Sequence, residues 1–162
     1  MDFHYRALRR LALVGTCWLP ALAFSCKCQA QPLIDQKQLQ ENIQVGQIAR
    51  LSTILKRETG TVCVLLPYQN SLPESDPHSA PINAYLAATR YQSNEGHWAL
   101  VFVDGDAVNV ARFNRSETLD VDSGDPSLPK GFRPTKCAEI AHAGIAKVAA
   151  FGRIRLVLGE LE

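Results

Sequence analysis

The apolar and polar positions divide the chain into segments of different periodicity. Residues 11–24 (LALVGTCWLPALAF) carry no charge and follow Arg6, Arg9 and Arg10. A basic start and a short apolar run match the first two regions of a secretory signal. The run falls short of the roughly 20 residues a membrane-spanning helix needs. In residues 35–58, Leu39, Ile43, Ile48, Leu51 and Leu55 recur among Gln, Lys, Arg and Glu. That spacing predicts an amphipathic helix capped by Asp35 and stopped by Gly60, with Gly46 weakening its middle.

Residues 61–68 (TVCVLLPY) form a β-branched run, which predicts a buried strand ended by Pro67. Residues 69–81 hold Pro73, Pro77 and Pro81 among polar residues and predict a long loop. The clearest signal lies in residues 97–113, where two apolar runs flank Asp104, Gly105 and Asp106, the pattern of a β-hairpin. In its second strand Val108, Val110 and Arg112 share one face, and Asn109, Ala111 and Phe113 share the other. Residues 82–91 (INAYLAATRY) fit either a helix entered through Ser79 and Pro81 or a strand that pairs back through residues 93–96. The strand, which completes a three-stranded meander, is the favoured reading. Residues 119–122 suggest a short strand within a turn-rich stretch. Thr135 opens a last expected helix, with Ala138, Ala141, Ile145 and Val148 as its stripe and Gly152 as its stop. Residues 153–158 (RIRLVL) predict a final strand. The expected fold is therefore α+β: a mostly antiparallel sheet, with a central hairpin or meander, packed by an N-terminal and a C-terminal helix.

Composition places these segments in one globular domain. The chain has 162 residues, 46% of them hydrophobic and 20% charged, enough for a single core. Taking residues 1–30 as the signal leaves residues 31–162 as one exported domain with 13 basic and 15 acidic residues. This balance gives no basic excess of the kind nucleic acid selects. Three fates fit the signal's end: cleavage after Ala30, cleavage after Ala23, or lipidation at Cys26. The expected location is periplasmic or secreted, with a lipid-anchored form as the alternative, and no integral span remains after cleavage.

Of Cys17, Cys26, Cys28, Cys63 and Cys137, only the last two follow residue 30. A pair in an exported chain predicts a disulfide, here one tying a strand to a helix. Cys63 as a thiolate nucleophile is the weaker alternative, because such thiols survive poorly under oxidising conditions.

The chain carries no serine-nucleophile elbow, no phosphate-binding loop and no metal-ligand spacing among His78, His97 and His142. No cofactor is expected. Asp120–Asp125 resembles a calcium loop in the wrong register, so a solvated turn is expected there. Asp104 and Asp106 are accounted for by the hairpin turn. Asn114 opens a glycosylation sequon, which has meaning only in a eukaryotic secretory pathway. Arg90, Tyr91, His97 and Trp98 form the candidate interaction patch, since Trp, Tyr and Arg dominate interface energies; a core position for Trp98 is the competing reading.

Three functions follow. The first is an exported, disulfide-stabilised binding module that contacts another protein of the envelope or outside the cell, of inhibitor or immunity type. The second is an assembly component of an envelope secretion or conjugation apparatus, exposing a sheet edge. The third is a small envelope enzyme that pairs His97 with a carboxylate such as Asp104 or Glu95.

Overall fold

A computed structural model describes residues 33–122 and 127–162. The signal read in residues 1–30, its cleavage points and Cys26 lie outside the described residues, as do positions 123–126 of the acidic loop. In chain order the elements are α1 (Gln36–Glu41), β1 (Ile48–Arg50), α2 (Leu51–Leu55), β2 (Thr61–Leu65), α3 (Ser79–Ala88), β3 (His97–Asp104), β4 (Ala107–Asn114), β5 (Asp120–Val121), β6 (Phe132–Pro134), β7 (Cys137–Glu139), β8 (Ala143–Ala150) and β9 (Arg153–Leu161).

The strands make two sheets. One runs β4-β3-β2-β7 and is antiparallel throughout. The other runs β1-β8-β9-β5, with β6 also on β9; only the β5–β9 pairing is parallel. Alternate residues of both sheets meet in one core. Val62 and Val64 of β2, Trp98, Leu100 and Phe102 of β3, and Phe113 of β4 pack with Ala143 and Ile145 of β8 and Leu156 and Leu158 of β9. Leu39 and Leu51 bring α1 and α2 into that core. The opposite face of the four-stranded sheet, with Leu65, Ala99 and Val101, is covered by Ile82 and Leu86 of α3. The architecture is thus helix on sheet on sheet, with apolar alternation satisfied on both faces of β2 and β3.

Some of the sequence expectations hold and others need correction. The hairpin of residues 97–113, the strand from Thr61 and the final strand are present. The helix expected over residues 35–58 is broken. Asp35 does cap α1, accepting from the Gln38 amide at 2.7 Å while Gln38 accepts from the Asp35 amide at 2.9 Å, a complete capping box. The helix then stops at Glu41, because residues 46–50 pair with the edge of β8. The Gly46 amide donates to the Lys147 carbonyl at 2.7 Å, and the Lys147 amide donates to the Gln47 carbonyl at 3.0 Å. Lys147 is buried, and its ammonium donates to the carbonyls of Gln40 and Ile43 at 2.7 and 2.9 Å, closing the C-terminal end of α1.

The helix expected after Thr135 is instead β7 and most of a long hairpin. Every residue of β8, Ala143–Ala150, pairs with β9 from Glu160 back to Arg153. Gly152 is the hairpin turn (φ 72°) and not a helix stop. A near-neighbour partner strand outweighs the helical propensity of an Ala-rich segment. The N- and C-terminal helices therefore do not pack this sheet as expected; α3 does. Residues 82–91, favoured as a strand, belong to α3 and its cap. Ile82 and Leu86 fall one helical turn apart, and Asn83 accepts from and donates to the Leu72 backbone at 2.8 and 3.0 Å, so the preceding loop is clasped to the helix.

The Cys63–Cys137 disulfide is present. It joins strand to strand, since Cys63 and Cys137 are directly opposite on β2 and β7. The crosslink closes a separation of 74 residues and holds a three-residue edge strand that its own ladder would hold weakly.

Candidate functional site

The end of α3 builds the site. The Arg90 amide donates to the Ala87 carbonyl at 3.1 Å and the Tyr91 amide to the Leu86 carbonyl at 2.8 Å. These two bonds define a Schellman cap. Its left-handed residue is Arg90, at φ 53°, where glycine is the usual occupant because a side chain is disfavoured there. Tyr91 then packs against the apolar cluster that contains Leu86.

From the neighbouring β4, Arg112 lies over the Tyr91 ring with its guanidinium carbon 4.4 Å from the centroid. It also donates to the Gln92 carbonyl at 2.8 Å. Together Tyr85, Thr89, Arg90, Tyr91, Val110 and Arg112 line a cleft of about 380 Å³. No acidic residue lines it. Burial pushes the Tyr91 phenol above its ordinary pKa, against the opposing charge of Arg112.

The arginines of the molecule show why this cleft stands out. Arg57 pairs with Asp104, Arg115 and Arg153 with Asp120, Arg155 with Asp122, and Arg133 with Glu160. Among the described residues, Arg50, Arg90 and Arg112 have no carboxylate within ion-pair distance; Arg50 is exposed at the end of β1, whereas Arg90 and Arg112 sit in the one cleft.

Of the candidate patch, Arg90 and Tyr91 are in the cleft. His97 stands behind Tyr91, edge-on at 6.3 Å between centroids, with its Nδ1 3.0 Å from Asn94 Oδ1. Trp98 does not belong to the patch. It is buried and stacks on Phe113 at 4.5 Å in the inter-sheet core, because adjacent strand residues point to opposite faces. Tyr85 and Arg112 were missed; the placement of Arg112 on one face with Val108 and Val110 was the available signal.

A second cluster is centred on Asp120, which is 1% exposed. Arg115 donates to its two oxygens from Nε and Nη2 at 2.7 and 2.9 Å, and Arg153 Nη1 approaches at 3.4 Å. Burial pushes the Asp120 carboxyl up, but the Arg115 bonds, the Val121 amide and Arg153 together hold it below its ordinary pKa. Hydrogen bonding to Asp120 raises the Arg115 pKa in turn. The expected solvated turn at Asp120 is therefore a buried ion cluster. Arg115 also donates to the Glu95 carbonyl at 2.9 Å, and the Glu95 carboxylate accepts from the Tyr68 hydroxyl at 2.7 Å, which raises the Tyr68 pKa. Tyr68 and the hairpin-tip Phe151 are 66% and 87% exposed, each at positive φ.

His97 and Asp104 occupy opposite ends of β3, seven residues and roughly 23 Å apart at strand rise, so they do not form a catalytic pair. Glu95 is engaged by Tyr68 and Asp104 by Arg57. His78 and His142 line one cleft with Glu139 and Glu160; among the described residues no group of three metal-ligating side chains converges, and no described helix is long and apolar enough to cross a membrane. Comparison with protein-family models, with curated proteins and with solved structures returns no match.

Proposed function

We propose that the chain is an exported binding module that acts by contacting another protein through the Arg90–Tyr91–Arg112 cleft, in the manner of an inhibitor or immunity protein. The observation that carries this reading is that two arginines without carboxylate partners share one cleft with two tyrosines of α3 and its cap. Arginine and tyrosine side chains in such settings supply much of the energy of protein interfaces. Export through residues 1–30, with release after Ala30 or Ala23 or anchoring at lipidated Cys26, agrees with the disulfide, which persists in oxidising compartments.

The test is site-specific photo-crosslinking in the exported fraction of the native host, with the photoreactive residue at Thr89, which lines the cleft, or at Lys37 on α1. A discrete adduct is expected from Thr89 and not from Lys37. Arg90→Glu and Arg112→Glu should each abolish it. No adduct from Thr89, or one insensitive to both substitutions, removes the reading.

A further inference from the structure

We infer that β4 is the docking strand of this site: an acidic, extended segment of the partner protein adds to the four-stranded sheet along β4 and sets a carboxylate between Arg90 and Arg112. The inference rests on the protein-contact reading and names the partner's chemistry.

β4 is the sheet's long free edge. All eight of its residues pair one-to-one with β3, without a bulge, and among the described residues no strand lies on its other side. The remaining outer strands β1, β5, β6 and β7 have only two or three residues each. Proteins commonly protect a long edge with lysine, proline, a bulge or an inward charge. β4 (AVNVARFN) has none of these, and its one charged residue, Arg112, is folded over Tyr91.

The direction of the edge groups follows from one bond. The Asn114 amide donates to Gln36 Oε1 at 3.3 Å, so it points away from β3. Backbone groups alternate along a strand. Val108, Val110 and Arg112 therefore also direct N–H and C=O outward. Their side chains share the face that α3 covers, where Val110 and Arg112 line the cleft. A strand added here would lie about 4.8 Å from β4, with its same-face side chains beside those three. The position beside Arg112 faces Arg90 and Tyr91. An acidic residue there would pair with both guanidiniums, and apolar residues two and four positions away would lie beside Val110 and Val108. Backbone pairing with pockets for alternate side chains is the established logic of strand addition. A second copy of this chain is a poorer occupant, because β4 contains no carboxylate and would bring a further Arg112 to the interface.

The test is selection of random phage-displayed peptides on the full, disulfide-bonded chain, with Val110→Pro as the comparison target. Proline at 110 removes an outward N–H and leaves the β3 ladder intact. Selected peptides should alternate apolar residues with an Asp or Glu at one common position. They should bind at least tenfold more weakly to Val110→Pro and to Arg112→Gln. Hydrogen exchange at the Val110 and Arg112 amides should slow at least tenfold on peptide addition, a readout that stands if Val110→Pro fails to fold. Peptides without an enriched acid, unslowed amides, or dimerisation of the chain through β4 each overturn the inference. A Thr89 adduct formed while the β4 amides still exchange freely overturns strand addition and leaves the protein-contact reading standing.

Discussion

At the scale of single residues, Arg90 sets stability against the proposed contact. Its left-handed backbone at φ 53° favours glycine, so Arg90→Gly is expected to raise stability by about 0.5–1 kcal/mol, part of the relief being offset by glycine's freedom in the unfolded chain. The same change should weaken partner binding. Urea unfolding of both proteins checks the first expectation, and a loss of stability would mean that the Arg90 side chain does structural work. Arg90 and Tyr91 were legible in the sequence as a pair of interface-type residues. Arg112 was legible only as one face of a hairpin strand, because its approach to Tyr91 spans more than twenty positions. The grouping of Trp98 with His97 failed for a local reason that the sequence contained: neighbours on a strand face opposite ways.

At the scale of elements, the Asp120 cluster joins β5 to the 115–119 loop and to β9 through Arg115 and Arg153. Asp120 titrates below its ordinary value in the fold, so the unfolded chain takes up the proton first. Its stabilising contribution is complete above pH ~4, the ordinary aspartate range, and is lost as pH falls through the lower folded value. Acid unfolding of the wild type should show this loss, and Asp120→Asn should flatten it while costing about 2 kcal/mol at neutral pH. A variant with the wild-type acid profile would place the titration elsewhere. The hairpin at 97–113 was readable because its pairing is local and its turn chemistry explicit. The break in the helix expected over residues 35–58 and the strands in place of the helix expected after Thr135 were not, because apolar spacing of three to four residues also satisfies a strand whose partner is supplied from elsewhere in the chain. Here Lys147 and its neighbours supply the partner for residues 46–50.

At the scale of the whole molecule, the disulfide ties the edge strand β7 to the centre of its sheet across 74 positions. Replacing both Cys63 and Cys137 by serine should lower stability by up to about 4 kcal/mol on the chain-entropy view, read from the urea midpoint. Intact mass of the protein recovered from an exporting host should begin at Gln31 and show two alkylatable thiols only after reduction. A free thiol before reduction would reopen Cys63 as a reactive group, and a diacylated Cys26 would place the domain on a membrane surface. The N-cap at Asp35, the hairpin and the final strand could be read from local composition and period, and the cysteine pair from the count of cysteines beyond residue 30. The division into two sheets, the interruption of one expected helix by β1 and the conversion of another into strands, the burial of Asp120 and the meeting of Arg90 with Arg112 were decided only in the tertiary structure. Each depends on which distant segment offers the better backbone partner or counter-charge, and that choice is made when the two sheets close over their common core.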